Sequence, residues 1–90
     1  MPQAVEDLQA IRRFIERDSP RYALLVVERI LMAVDILEMF PLAGRIVPEH
    51  LRDDLRELIR PPYRIVYRLV DDRVDVLTVF RSSRMIPDLP

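Results

Sequence analysis

The sequence contains no cysteine, no lysine and no tryptophan, and its 90 residues include one histidine and one glycine. Without cysteine, the chain can form neither a disulfide nor a thiolate metal site. Because lysine is also missing and His50 is the sole imidazole, few side chains are suited to nucleophilic or acid–base chemistry. We therefore expect no metal and no cofactor, and little catalytic chemistry.

Long apolar runs and an excess of charge of one sign are also lacking. The apolar stretches are short and interrupted by charges, so no membrane-spanning helix is predicted. The first residues, "MPQAVEDL", do not combine a basic region with an apolar stretch, so we predict no secretory signal and a cytoplasmic location. A net charge of −1 argues against strong nonspecific attraction to nucleic acid. The length predicts a single domain over residues 1–90.

The first half of the chain has the apolar periodicity of helices. Ala4, Leu8, Ile11 and Ile15 lie on one helical face, which predicts a first helix from Gln3 to Arg17. A restart follows at "DSP", where a serine can cap a second helix and a proline suits its first position. The pattern therefore predicts a helical hairpin.

The second helix, predicted from Pro20 to Phe40, carries two apolar stripes on different sides. The first stripe consists of Ala23, Val26, Val27, Ile30, Val34 and Leu37. The second consists of Leu25, Met32, Ile36 and Met39. Either the first helix and the sheet cover this second stripe, or it is a partner surface, for which methionine is well suited.

The second half of the chain is typical of strands. After a connector in which we expect Gly44 at positive φ, residues 45–47 predict a short edge strand. The segment "LRELI", residues 55–59, alternates apolar and charged residues, and "YRIVYRLVDDRVDVLTVFRSSR", residues 63–84, predicts a hairpin. Helices followed by strands indicate an α+β domain, a helical hairpin packed on one face of an antiparallel sheet of three or more strands.

The register of the hairpin follows if Asp71 and Asp72 form its turn. Arg68 then lies opposite Asp75 as a modest cross-strand pair. Strict alternation assigns one set of residues to the core: Ile65, Tyr67, Leu69, Val74, Val76, Thr78 and Phe80. The opposite face is predicted to carry Arg64, Val66, Arg68, Asp75, Leu77, Val79 and Arg81. Because the helices cover the first face, we expect Arg64 to project from an open face.

Several other polar residues have ordinary interpretations. We interpret His50 as a surface loop residue, since no second histidine or cysteine accompanies it. Glu57, with Arg56 and Arg60, is expected on an exposed strand, in ion pairs of little energetic value, although Arg56 could instead tie the sheet to a helix. Tyr67 is predicted to be core with its hydroxyl at the boundary.

The ordered segments resemble the RelE/ParE superfamily, the toxins of bacterial type II toxin–antitoxin pairs. The resemblance lies in "AVEDLQAIRRFI", "DSPRYALLVVERI", "LEMFPLAGRIVPE", "LRELI" and the hairpin. The long helix after "SP" and the "FPLAGR" connector favour the ParE branch. Family members usually begin with a strand that ends near Trp-Ser-Pro. Met1-Pro2 stands at the end of that motif, so we expect the usual first strand to be missing.

The resemblance implies two possible activities. RelE-type members cut mRNA on the ribosome with basic residues and a C-terminal tyrosine, whereas ParE-type members inhibit DNA gyrase by binding it. Arg64 and Arg84 match two arginines of the RelE-type site, and they are the catalytic candidates if the chain is an endoribonuclease. The matching lysines are absent, since Leu55 and Glu57 stand near their positions, and no tyrosine follows Arg84. The resemblance therefore favours a ParE-like toxin that is not an enzyme.

The resemblance also implies partners. A cognate antitoxin is expected to wrap the toxin in a hetero-oligomer, with apolar anchors on the second stripe. Its acidic groups, or the target, are expected to meet arginines. The predicted contact arginines are Arg60, Arg64, Arg81 and Arg84. A ribosome-dependent mRNA endoribonuclease is the alternative, and a non-toxic remnant that only binds antitoxin is another.

Overall fold

The computed structural model describes residues 2–71 and 73–82. Two helices are followed by four strands in a single sheet of order β1-β2-β3-β4, in which every neighbouring pair is antiparallel. The elements are α1 (Pro2–Glu16), α2 (Pro20–Met39), β1 (Arg45–Ile46), β2 (Leu55–Arg60), β3 (Tyr63–Val70) and β4 (Arg73–Arg81). The predicted α+β class, with a helical hairpin and a sheet of three or more strands, is confirmed. Within the described residues, no strand precedes α1.

The helical hairpin begins and ends where the sequence predicts, to within a residue. Ser19 caps α2, because its Oγ accepts a hydrogen bond from the Tyr22 amide at 3.1 Å. The helix stops before Pro41, whose ring cannot continue it. None of the described helices is long and apolar enough to cross a bilayer. The helix ends are therefore set by local chemistry that can be read from the sequence.

The main core lies between the helices and one face of the sheet. Each fully buried aliphatic side chain there contributes about 1.5–3 kcal/mol. The buried members are Ala4, Val26, Ile30, Ala33, Leu37, Tyr63, Ile65, Tyr67, Val76 and Val79. Asp7 joins α1 to β4 as well, since its Oδ2 accepts from the Val79 amide at 3.0 Å and from the Thr78 hydroxyl at 2.5 Å. These contacts fix the helical hairpin on the sheet.

The predicted hairpin register is confirmed from the turn as far as the pair Tyr67–Val76, and Arg68 lies opposite Asp75. Beyond that pair the register shifts, and Val66 pairs with Thr78. The extra residue in β4 is a β-bulge, which breaks strict alternation. The predicted faces are consequently wrong at the end of β4. Val79 belongs to the core beneath the helices, and Phe80 belongs to the cluster on the opposite face.

Gly44 is required for a different reason from the one predicted. Its φ is not positive. A Cβ at this position would lie 2.5 Å from the carbonyl oxygen of Glu57 and 2.5 Å from the hydroxyl of Tyr67, too close for any other residue. The Tyr67 hydroxyl accepts from the Gly44 amide at 2.9 Å and donates to the Pro41 carbonyl at 2.7 Å. A fully buried tyrosine thus fixes the connector to the sheet.

The face of the sheet opposite the helices is also covered in part. A second apolar cluster there consists of Val47, Leu55, Val66, Leu77 and Phe80. We call residues 48–54, which follow Val47, the β1–β2 loop. Residues 48–53 are all exposed. The β1–β2 loop carries Glu49, and this face of the sheet carries Glu57 and Arg64.

Candidate functional site

A cluster of charged side chains lies on the sheet face opposite the helices. Its centre is Glu57 of β2, which is 1% exposed. Arg45 of β1 donates from Nε to Glu57 Oε2 at 2.6 Å, and Arg64 of β3 donates from Nε to Glu57 Oε1 at 2.9 Å. The Arg64 Nη2 also contacts Glu57 Oε1. A buried carboxylate is therefore balanced by two guanidinium groups.

The other edge of the Arg64 guanidinium faces a second carboxylate. Arg64 donates from Nη1 to Glu49 Oε2 at 3.0 Å and from Nη2 to Glu49 Oε1 at 3.1 Å, a two-on-two arrangement. The hydrogen bonds from Arg64 lower the pKa of Glu49, and the bonds to Glu49 raise the pKa of Arg64. The guanidinium carbon also lies 5.2 Å from the centre of the Phe80 ring. Arg64 is thus held on three sides.

These contacts correct two predictions. Arg64 was expected to project from an open face, but it is 8% exposed and ion-paired within the chain. Glu57 was expected on an exposed strand, but it is buried. Arg64 lies on the predicted face of the sheet, and the error in its exposure arises because the β1–β2 loop brings Glu49 over it. Contact of Arg64 with a partner stays a prediction.

The remaining predicted residues lie in different places. Arg60, at the end of β2, is partly buried, and its Nη1 donates to the Ile59 carbonyl at 3.0 Å. Arg81 is exposed, with its guanidinium carbon 5.9 Å from the centre of the Tyr63 ring. Arg84 lies outside the described residues. His50 is exposed in the β1–β2 loop, as predicted.

Arg56 ties the sheet to the connector rather than to a helix. Its Nη1 donates to the Gly44 carbonyl at 3.0 Å, and its Nε donates to the Asp53 carbonyl at 3.2 Å. These bonds fix the connector before β1 and the end of the β1–β2 loop to β2. Arg56 therefore stabilises the fold. The sequence left open a contact between Arg56 and a helix, and the structure shows a contact between Arg56 and the connector instead.

The second stripe of α2 is exposed. Leu25, Met32, Ile36 and Met39 are between 41% and 73% exposed, so neither α1 nor the sheet covers them. Beside this stripe runs a shallow groove of about 370 Å³, which reaches across to β2. Its lining residues are Leu25, Glu28, Arg29, Met32, Ala33, Ile36 and Arg60. The groove thus combines apolar residues with two arginines and one glutamate.

The described residues offer limited means for chemistry. Among residues 2–71 and 73–82, no three His, Cys, Asp or Glu side chains are grouped so that they could hold a metal ion. The carboxylates nearest Arg64 are themselves held in ion pairs. A guanidinium is always protonated near neutral pH and cannot act as a base. The arrangement is suited to holding anions and apolar surfaces.

The fold is a helical hairpin on one face of a small antiparallel sheet. Because the apolar stripe of α2 is uncovered and arginines lie at the sheet, the surface is suited to binding. Comparison with known proteins identifies the family. A model of the ParE toxin of the type II toxin–antitoxin system parDE matches residues 1–86, and the chain therefore belongs to the ParE toxin family. It is a toxin of the type II toxin–antitoxin class, for which the family implies an antitoxin partner.

Individual matches agree that the chain is a toxin of this class, and their names include both RelE and ParDE. The candidate toxin Y4kP of Sinorhizobium fredii is 38% identical over 89 residues, which cover 97% of this chain and 88% of that protein. Toxin RelE2 of Caulobacter vibrioides is 32% identical over 83 residues, covering 92% of this chain and 91% of the relative. A solved structure of the chromosomal ParDE system of P. aeruginosa matches with a TM-score of 0.71 and 25% identity, covering 90% of this chain and 89% of the other. The predicted superfamily is confirmed.

Sequence reasoning missed Glu49 and the burial of Glu57. A signal for Glu57 was present, because it alternates with Leu55, a buried residue two positions earlier on the same face of β2. No comparable signal marked Glu49, which acts through the path of an exposed loop. The acceptors of Arg64 could therefore be found only from the folded chain.

Proposed function

We propose that this protein is a ParE-type toxin that inhibits DNA gyrase by binding to it, in the cytoplasm, and that a cognate antitoxin neutralises it. The observation that carries the proposal is the state of Arg64. It matches an arginine of the RelE-type cleavage site, but both edges of its guanidinium are engaged by Glu57 and Glu49. A guanidinium held in this way is not available to stabilise a phosphoryl transition state without rearrangement. Binding, rather than bond cleavage, fits the site best.

The uncovered surface of α2 supports the antitoxin part of the proposal. Monomeric soluble proteins rarely leave a row of large apolar side chains in water, and such rows mark interaction sites. An amphipathic antitoxin segment can place apolar anchors on Leu25, Met32 and Ile36. Arg29 and Arg60, at the edge of the same groove, favour acidic residues in that segment.

Expression in bacteria without antitoxin tests the proposal. We expect growth arrest, a DNA-damage response and covalent gyrase–DNA complexes, because a trapped gyrase leaves broken DNA bound to protein. Coexpression of the antitoxin from the neighbouring reading frame should restore growth. Absence of any growth effect would instead support the non-toxic, antitoxin-binding remnant.

A ribosome-dependent mRNA endoribonuclease is the second candidate, because one relative carries the name Toxin RelE2. In that case Arg64 and Arg84 would hold the phosphate, and Glu49 would have to leave Arg64. Rapid cleavage of mRNA at the ribosomal A-site, with no gyrase–DNA complexes, would favour this candidate over gyrase inhibition.

A further inference from the structure

The guanidinium of Arg64 has an inner and an outer edge that differ in their surroundings. The inner edge, Nε and Nη2, is bound to Glu57, whose side chain is 0% exposed. The outer edge, Nη1 and Nη2, is bound to Glu49, whose side chain is 40% exposed. Because water reaches Glu49 but not Glu57, the outer carboxylate is the one that can be exchanged.

The Glu49 side chain can leave Arg64 while the backbone of the β1–β2 loop stays in place. The loop is held by backbone bonds: His50 and Leu51 donate to the Val47 carbonyl at 3.1 and 3.0 Å, Leu55 donates to the Arg52 carbonyl at 3.2 Å, and Leu69 of β3 donates to the Asp54 carbonyl at 2.8 Å. Glu49 itself is exposed, and its ion pair with Arg64 is of the partly solvated kind that contributes little. Rotation of this side chain is therefore enough to free the outer edge of Arg64.

The charges around Arg64 select the kind of anion that could replace Glu49. With Glu49 displaced, Arg45, Arg64 and Glu57 sum to a single positive charge. A singly charged carboxylate balances that sum, whereas a doubly charged phosphate would leave an excess of negative charge beside Glu57. The planar two-on-two geometry is also the one that a carboxylate satisfies.

We propose that the outer edge of Arg64 is a carboxylate-binding site, which Glu49 occupies in the isolated toxin and an acidic side chain of a protein partner occupies in the complex. The Phe80 ring, 5.2 Å from the guanidinium carbon, forms one wall of the site. Glu49 is thereby an internal competitor that weakens binding of other anions. The identity of the partner as antitoxin rests on the proposed function, whereas the site itself does not.

The Nη–Hη resonances of Arg64 in a nitrogen–proton correlation spectrum report on this site directly, because both Nη atoms donate to Glu49. The protein is titrated with sodium propionate, a singly charged carboxylate, at constant ionic strength, as wild type and as Glu49→Gln. Since a tethered carboxylate competes at millimolar or higher effective concentration, propionate should bind Glu49→Gln at least about fivefold more tightly than wild type. Inorganic phosphate should bind Glu49→Gln more weakly than propionate.

Asp53→Asn is the matched control, because it removes one negative charge from the same loop. The Asp53 backbone carbonyl, rather than its carboxylate, bonds to Arg56. This variant should bind propionate as wild type does. Equal gains in the two variants would overturn the proposal, since they would reflect net charge alone.

Two further outcomes would also overturn it: no shift of the Arg64 Nη–Hη resonances when propionate is added to Glu49→Gln, or tighter binding of phosphate than of propionate. Glu49→Ala should reproduce the gain, which keeps the test available if the glutamine variant fails to fold. The titration needs no gyrase and no antitoxin, so its failure would be distinguishable from failure of the proposed function.

Discussion

The two carboxylates that bind Arg64 differ in what their loss should cost. Glu57 is inside the protein and contacts two arginines, whereas Glu49 is at the surface and contacts one. Removing one member of a buried ion pair leaves an uncompensated charge, which costs far more than loss of a surface pair. At the residue scale, loss of Glu57 should therefore lower the free energy of unfolding more than loss of Glu49 does.

Glu57→Leu should destabilise the protein by about 3–5 kcal/mol, because the inner edge of the Arg64 guanidinium then lies buried without its carboxylate, while only the outer edge keeps Glu49. The double variant Glu57→Leu/Arg64→Met should recover most of that loss, since an apolar pair of similar volume needs no compensating charge. Urea unfolding at neutral pH measures both. A double variant no more stable than the single variant would contradict the electrostatic explanation.

Glu49→Gln should cost about 0–1 kcal/mol at pH 7, because the pair is partly exposed to solvent. Arg64 lowers the pKa of Glu49 below its ordinary value of 4.5. The contribution of this group is therefore present above pH 4.5 and is lost as the pH falls through the lower pKa of the folded state. The difference in unfolding free energy between wild type and variant should shrink accordingly. A difference that grew below pH 4 would contradict this assignment.

Tyr67→Phe should destabilise the protein by about 1–3 kcal/mol. The change leaves the Gly44 amide without an acceptor and the Pro41 carbonyl without a donor, while the ring stays in place. Thermal and urea unfolding measure the effect. Tyr63→Phe is the control, since Tyr63 is a buried tyrosine of the same core and lies on the same face of β3. Equal losses in both variants would argue against a specific role for the Tyr67 hydroxyl.

At the scale of elements, apolar periodicity and capping residues were sufficient to predict the bounds of α1 and α2. Ser19 and Pro41 mark the ends of the second helix locally. The turn at Asp71 set the register as far as Tyr67 and Val76. Alternation failed beyond the β-bulge, because one extra residue reverses the faces and leaves no mark in the apolar pattern. The acceptors of Arg64 were missed for a related reason, since the path of an irregular loop depends on tertiary contacts.

The exposed stripe of α2 gives a prediction at the same scale. Met32→Asp should weaken antitoxin binding by about tenfold or more, because it places a charge among buried interface anchors. Leu31→Asp is the matched control, since Leu31 is exposed on α2 outside the stripe. Calorimetric titration of each variant with purified antitoxin checks this. Equal weakening by the two changes, or none by Met32→Asp, would contradict the assignment of the stripe.

At the scale of the whole molecule, the fold presents two surfaces with different chemistry. One is the apolar stripe and groove of α2, and the other is the charged face around Arg64. Neither surface groups its charged side chains as a proton-transfer site does, because the carboxylates at Arg64 are held in ion pairs within the chain. We propose that the toxin acts by binding an enzyme and not by cutting a substrate.

Gyrase activity in vitro tests that claim most directly. Purified toxin is added to purified DNA gyrase, ATP and relaxed plasmid, and supercoiling is followed together with covalent enzyme–DNA complexes. We expect loss of supercoiling and accumulation of covalent gyrase–DNA complexes at toxin concentrations near that of gyrase. Antitoxin should reverse both effects. Unimpaired supercoiling at large toxin excess, with the same preparation cleaving ribosome-bound mRNA, would contradict it.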